Sequence, residues 1–193
     1  NRELRDISAH TKDGTSIMLL ANIGMPEEVV NAIEHGAEGI GLFRSEFFFL
    51  GGHIPGEEEQ YNAYSQVARS MHCRPVVIRT LDIGGDKQVP YLDLPREENP
   101  FLGVRGARLL LARPELLRTQ LRALYRAAEH GSVSIMFPMV ARVAEVIALR
   151  AECEQVRAAL HQNASAGGAE GGLFDVLLPR HILVHAPHDL GND

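Results

Sequence analysis

The chain has 193 residues, of which 45% are hydrophobic, and a formal net charge of -6. That length and apolar content suit one compact domain or part of a larger one, and the negative charge argues against electrostatic nucleic-acid binding. Two cysteines are too few for a disulfide framework, and no apolar stretch reaches the roughly 18 residues that cross a membrane, so we expect a cytoplasmic protein without membrane insertion.

The two ends of the chain differ in character from its middle. The first residues are charged throughout, do not begin with Met and are unlike a signal peptide, so we expect a piece of a longer protein. Residues 1–16 are predicted to be a polar lead-in from a preceding linker, with a turn at KDGTS. Residues 17–162 are predicted to hold the folded part. Residues 163–193 are predicted to be a flexible connector and a divergent tail, because NASAGGAEGG is small and polar.

Apolar runs alternate with amphipathic segments through the folded part, which predicts strands alternating with helices. The predicted strands are 17–24, 37–43, 75–80 and 133–139, and a fifth within 174–184 is interrupted by Pro179. The predicted helices are 25–36, 57–72, 102–112, 114–130 and 142–162. Apolar residues spaced by three and four predict the buried faces of three of these helices. These faces are formed by Tyr61, Tyr64, Ala68 and Met71, by Leu117, Leu121, Leu124 and Ala128, and by Val146, Leu149, Cys153, Val156 and Leu160.

Near-continuous apolar strands alternating with helices predict a parallel sheet covered by helices. A complete (β/α)8 barrel has about 250 residues, so about four βα units predict the α/β class and a partial (β/α)8 TIM barrel. On pattern alone an open doubly wound sheet remains the alternative. Neither a G-x-G-x-x-G fingerprint nor a phosphate loop of the G-x-x-x-x-G-K-[ST] kind is present.

Two arginines lie where neighbouring predicted strands end. Arg44 follows the second strand, and Arg79 closes the third. Because adjacent parallel strands lie about 4.8 Å apart, both guanidinium groups can converge on one small anion. The planar guanidinium fork suits phosphate or carboxylate. Lys87, shortly after the third strand, adds a third positive charge.

Carboxylates and glycines accompany these cations. Glu46, Asp82 and Asp86 can offset the repulsion between the positive groups. Gly84 and Gly85 allow a tight turn and a close approach of the backbone to a ligand. The alternative interpretation is a set of ordinary ion pairs and ordinary turns.

Five stretches together carry a family resemblance, namely GAEGIGLFRSEFFFL, EEEQYNAY, VVIRTLDIGGDK, PYLDLPREENPFLGVRGARLLL and SIMFPMV. They resemble Enzyme I of the bacterial phosphoenolpyruvate:sugar phosphotransferase system, in the first half of its C-terminal phosphoenolpyruvate-binding barrel. The resemblance covers residues 17 to 160 in order. It implies that Arg44, Arg79 and Lys87 hold the phosphate of phosphoenolpyruvate and that Arg105 lies in or near the same site. Asn22, from its position at the end of the first predicted strand, is expected to line that site.

The resemblance also implies a reaction, a cofactor and partners. It implies transfer of the phosphoryl group of phosphoenolpyruvate to a histidine on a separate domain and then to HPr for sugar uptake. Mg²⁺ is the implied cofactor, and the longer protein is implied to be a homodimer. The acceptor histidine, the proton-donating cysteine and the magnesium-binding motifs like V-E-T-P and G-T-N-D are not found in this sequence. We therefore expect no catalytic or metal-binding residue here and an inactive chain when it is alone.

Two alternatives to this function stay open at this point. One is a non-catalytic remnant that acts as an association module. The other is a different phosphoenolpyruvate-using enzyme, such as pyruvate phosphate dikinase or phosphoenolpyruvate synthase.

Overall fold

The computed structural model describes residues 5, 7–84, 89–92, 94, 98–100, 102–166 and 182–184. A small antiparallel hairpin comes first, formed by β1 (Ala9–His10) and β2 (Ser16–Ile17). The amide of Thr11 donates to the carbonyl oxygen of Thr15 across its turn, and Gly14 takes a positive φ of 86° there. The predicted first strand, 17–24, is therefore divided, since Ile17 belongs to the hairpin and only the later residues join the main sheet.

The main sheet has five parallel strands that lie side by side in chain order. They are β3 (Leu20–Ile23), β4 (Gly39–Arg44), β5 (Val76–Arg79), β6 (Val133–Phe137) and β7 (Ile182–Val184). The β-branched and aromatic residues that dominate β5 and β6 favour this pleated, buried setting. The fifth strand follows Pro179 and pairs with β6, from Ile135 opposite Ile182 to Phe137 opposite Val184.

Six helices alternate with the strands of the main sheet in the described residues. They are α1 (Glu28–Glu34), α2 (Glu46–Phe49), α3 (Glu57–Met71), α4 (Ala107–Ala112), α5 (Pro114–Ala127) and α6 (Val143–Ala166). Short 3-10 segments occupy Pro90–Leu92 and Ala128–His130. No helix within the described part of the chain is long and apolar enough to cross a membrane.

Helices α1, α3, α5 and α6 pack side by side in one layer against the sheet. Helix α1 packs on α3, α3 on α5, and α5 on α6, so neighbours in the layer follow chain order. Burial alternates along β5, where Val76 and Ile78 are inaccessible to solvent while Val77 and Arg79 are half-buried. Parallel strands in chain order with helices on one face form a sector of a (β/α) barrel. The prediction of a partial barrel is confirmed, and the open doubly wound sheet is excluded.

The predicted helical faces lie in the core. Leu117, Leu121 and Leu124 of α5 are each 0% exposed, and Cys153 of α6 is 1% exposed. Helix α4 begins later than predicted, at residue 107 instead of 102. Gly106 has a positive φ of 52°, which a right-handed helix does not allow. The one-turn helix α2, directly after β4, had no periodic signal because four residues are too few to show one.

Candidate functional site

The two arginines that end β4 and β5 are partners in the strand register. Phe43 is opposite Ile78 and Arg44 is opposite Arg79, so the two arginines stand side by side at the carboxyl edge of the sheet. Residues opposite each other in a parallel pair project to the same face, and the strands lie about 4.8 Å apart. The structure therefore brings both arginines to one side of one sheet edge. Their binding of an anion stays a prediction.

Arg79 lies between two buried carboxylates. One of its terminal nitrogens, Nη2, is ion-paired with Glu46, and the other, Nη1, lies 3.3 Å from Oδ2 of Asp82. The carboxylate side chains are only 3% and 7% exposed, so each would be costly to bury without a cation. The two acids hold both ends of the guanidinium group and set its orientation.

Asp82 also binds a second arginine. Its Oδ1 atom accepts a hydrogen bond from Nε of Arg105 at 3.1 Å, and the Arg105 side chain is 7% exposed. A Cβ added to Gly84 would lie 2.8 Å from Cβ of Arg105. The close approach at Gly84 is therefore made by the Arg105 side chain, which crosses the loop after β5. Arg105 thus joins Arg79 through a shared carboxylate.

Arg44 has a different environment. Its guanidinium carbon lies 4.9 Å from the centre of the Phe47 ring, a cation–π contact that orients the group. Glu28 supplies a nearby negative charge and accepts the amides of Gly24 at 2.6 Å and Met25 at 2.9 Å. Those two amides, Gly24 first, hold the pKa of Glu28 below its usual value, with a smaller contribution from Arg44. Glu28 is therefore ionised at neutral pH.

The site retains hydrogen-bonding capacity that the described residues do not use. The Nε atoms of Arg44 and Arg79 are buried without a hydrogen-bond partner in the part of the chain that the structure describes, and so is Oε2 of Glu46. Arg79 reaches its two carboxylates through its terminal nitrogens alone. Buried N–H donors of a cation are costly unless an acceptor is supplied. An anion with several oxygen atoms is a chemically suitable acceptor.

Two residues of this region were missed from the sequence. The hydroxyl of Ser45 donates to the carbonyl oxygen of Arg79 at 2.7 Å, and Nε2 of Gln120 donates to Oγ of Ser45 at 3.1 Å. The available signal was Gln120 itself, which lies between Leu117 and Leu124 on the buried face of α5. A polar side chain among apolar neighbours requires a hydrogen-bond partner.

The other predicted site residues have different outcomes. Asn22 lies in β3 opposite Leu42 and is exposed. Leu42 is two residues before Arg44, so Asn22 lies on the same face as Arg44, back from the sheet edge. Lys87 lies outside the described residues, as do Gly85 and Asp86.

Similarity to characterised proteins extends over most of the chain. A multiphosphoryl transfer protein of Xanthomonas campestris is 58% identical over 158 residues, which is 81% of this chain and 19% of that protein. A phosphoenolpyruvate-protein phosphotransferase of Staphylococcus carnosus is 53% identical over 160 residues, or 82% of this chain and 28% of the relative. The protein of that name from Haemophilus influenzae is 46% identical over 186 residues, or 96% of this chain and 31% of the relative.

The chain therefore spans less than a third of the length of these relatives. The family model described as the PEP-binding domain of PEP-utilising enzymes matches residues 1–172. Together with a barrel sector that has paired arginines at its carboxyl edge, this match shows that the chain belongs to the family of phosphoenolpyruvate-binding domains of phosphoenolpyruvate-utilising enzymes.

Proposed function

We propose that this chain is the phosphoenolpyruvate-binding portion of a phosphoenolpyruvate-protein phosphotransferase. The observation that carries the proposal is the pairing of Arg44 with Arg79 at the carboxyl edge of the sheet. In barrels of parallel strands, ligands bind at this edge. The identity of about half to relatives with that enzyme name favours it over a dikinase, a synthase or a remnant without substrate.

The proposed roles follow from the charges at this edge. Arg44 and Arg79 hold the phosphate through charge-assisted N–H donors, including Nε atoms that have no partner among the described residues. Lys87, eight residues after Arg79 in the sequence, is proposed to add a compact positive charge. Arg105 lies beside the phosphate and shares Asp82 with Arg79. Asn22 lines the β3 side of the site.

The reaction belongs to the longer protein. The phosphoryl group of phosphoenolpyruvate leaves the enol oxygen and forms a P–N bond with a histidine of a separate domain. That histidine passes the phosphoryl group to HPr for sugar uptake. The enolpyruvate takes up a proton and leaves as pyruvate. Positive groups stabilise the charge that spreads over the transferring phosphoryl oxygens. No acceptor histidine or proton donor is assigned to this chain, so we expect binding without turnover when it is alone.

The longer protein is proposed to be a cytoplasmic homodimer. Within it, residues 1–16 are proposed to continue a linker, residues 17–162 to form half of the phosphoenolpyruvate-binding barrel, and residues 163–193 to form a connector and a divergent tail. Strand β7 lies inside that tail and extends the sheet.

The described residues do not fit a magnesium site of their own. Among them, no three side chains of His, Cys, Asp or Glu are grouped as ligands. The two carboxylates that contact Arg79, Glu46 and Asp82, are already bound to guanidinium groups. Mg²⁺ is held by carboxylates and other oxygen ligands, so the Mg²⁺ that the resemblance implies needs ligands from outside the described residues.

The test is calorimetric titration of phosphoenolpyruvate into the purified 193-residue chain. Arg44→Lys and Arg79→Lys keep the charge and remove the fork, so each should weaken binding at least about tenfold. Arg157→Lys is the control, because Arg157 is half-exposed on α6 and pairs with Glu154 there. Binding by both site variants with wild-type affinity would exclude the proposed site.

A second test uses the chain joined to the rest of a full-length phosphotransferase. Arg79→Ala should reduce phosphoenolpyruvate-dependent phosphorylation by orders of magnitude, because a contact made in the transition state is lost. Near-normal turnover of that variant would contradict the assignment of Arg79.

A further inference from the structure

A buried amide on α5 connects the two strand ends that carry the arginines. The side chain of Gln120 is inaccessible to solvent and lies behind the sheet edge. Its Oε1 atom accepts the backbone N–H of Leu81 at 2.9 Å. Its Nε2 atom donates to Oγ of Ser45 at 3.1 Å and to the hydroxyl of Tyr64 at 2.9 Å. One side chain thus binds the chain after β4 and the chain after β5.

Two of the contacts of Gln120 lie within two residues of the arginines. Ser45 directly follows Arg44, and its hydroxyl donates to the carbonyl oxygen of Arg79 at 2.7 Å. Leu81 comes two residues after Arg79, beyond the last ladder hydrogen bond of β5. Gln120 therefore binds the chain segments that follow both arginines, beyond the hydrogen bonds of the sheet ladder.

The orientation of the Gln120 amide is determined by its partners. A backbone N–H can only donate, so the atom that faces Leu81 must be the amide oxygen. The NH₂ group then faces Ser45 and Tyr64, and Tyr64 donates its own proton to Oε1 of Gln60 at 3.0 Å. Burial raises the pKa of Tyr64, so the phenol keeps that proton. The hydrogen bonds from Leu81 through Gln120 and Tyr64 to Gln60 therefore all run in one donor-to-acceptor direction.

Loss of the amide would leave a definite defect. Leu81 is 0% exposed, so its N–H would lose the acceptor that it has among the described residues, in a place where water is excluded. A buried donor without an acceptor is unfavourable, and the backbone is expected to move to satisfy it. Such a movement at residues 80 and 81 is passed directly to Arg79.

We propose that Gln120 is a positioning residue, which sets the separation and direction of the Arg44 and Arg79 guanidinium groups through Ser45 and Leu81. It does not touch the ligand. The ligand in this inference rests on the proposed function, whereas the positioning itself is a property of the chain without ligand.

The experiment compares Gln120→Met with Gln60→Met in the 193-residue chain. Gln60 is a matched control, because it is also a buried glutamine, is 1% exposed and binds Tyr64, yet its other partner is the carbonyl oxygen of Pro55. Both variants lose a buried amide of the same size, but of the two glutamines Gln120 is the one that contacts the segments after β4 and β5. Phosphoenolpyruvate affinity is measured by calorimetry, and hydrogen exchange of the Leu81 amide is measured by NMR without ligand.

We expect Gln120→Met to bind phosphoenolpyruvate roughly tenfold more weakly and to expose the Leu81 amide to exchange. Gln60→Met should bind within about twofold of wild type and keep the Leu81 amide protected. Ser45→Ala, a small change that removes the same link at its other end, should weaken binding several-fold and decides the matter if Gln120→Met does not fold.

Three results would separate the possibilities. Wild-type affinity in both Gln120→Met and Ser45→Ala overturns the positioning role, and so does an equal loss of affinity in Gln60→Met. A wild-type chain that does not bind phosphoenolpyruvate contradicts the proposed function. In that case the exchange of the Leu81 amide in Gln120→Met still decides whether Gln120 restrains the strand end.

Discussion

Asp82 is the residue on which the buried charge network depends most. It faces Arg79 at 3.3 Å and Arg105 at 3.1 Å, with both side chains of the Arg105 pair only 7% exposed. Asp82→Asn keeps the shape and removes the charge, which leaves Arg79 with Glu46 and takes from Arg105 the carboxylate that its Nε atom binds. Removing one partner of a buried ion pair costs about 3–5 kcal/mol. The amide retains an acceptor oxygen, so we expect a loss of about 3 kcal/mol in the free energy of unfolding.

The assay is urea unfolding followed by circular dichroism, with a thermal melt as a second measurement. For a chain of this size, about 3 kcal/mol corresponds to a lowering of Tm by roughly 6–12 °C. Glu154→Gln is the control. Its pair with Arg157 lies on the surface, with 64% and 41% of the two side chains exposed. Removing an exposed pair should cost less than about 1 kcal/mol.

Inorganic phosphate extends the test from stability to function. An anion that binds the folded state supplies the missing negative charge, so phosphate should recover part of the stability that Asp82→Asn loses. Sulfate of equal ionic strength should act similarly, and chloride should not. A loss in Asp82→Asn no larger than in Glu154→Gln would show that Arg79 and Arg105 do not depend on Asp82, and the reasoning on this network would be refuted.

Three further predictions follow from burial and packing. Burial lowers the pKa of His130, so the stability that its neutral imidazole contributes is complete above its unfolded pKa near 6.5 and is lost as the pH falls. Between pH 7 and pH 5 the urea midpoint of His130→Gln should therefore change less than that of the wild-type chain. Burial raises the pKa of Cys153 to about 11, so a thiol reagent should label exposed Cys73 quickly and Cys153 only on unfolding; rapid labelling of both would contradict the packing of α6. Gly84→Ala should cost about 1–3 kcal/mol in urea unfolding, because its Cβ would meet Arg105 at 2.8 Å; an unchanged midpoint would show that Arg105 does not cross this loop.

Much of the architecture could be predicted from local patterns. The spacing of Leu117, Leu121 and Leu124 identified the buried face of α5, because a helix repeats every 3.6 residues whatever surrounds it. The apolar run around Val76 and Ile78 identified β5 in the same way. Where the apolar pattern was weak, the predicted strand and helix boundaries differ from those of the structure. The apolar run 17–24 was shared between a hairpin and the sheet, since pairing partners, which are remote in sequence, decide where a strand begins.

The candidate site likewise has features that the sequence determined and others that depend on the tertiary structure. The amino-acid sequence by itself determined that Arg44 and Arg79 end two consecutive strands, because the apolar runs show where each strand stops, and the sheet pairing then placed the two strands side by side. Only the tertiary structure decided that Asp82 serves both Arg79 and Arg105 and that Gln120 reaches across 75 residues to Ser45. A hydrogen bond requires two groups within about 3 Å in a defined direction. That condition depends on how α5 packs behind the sheet, which no local repeat of residue types encodes.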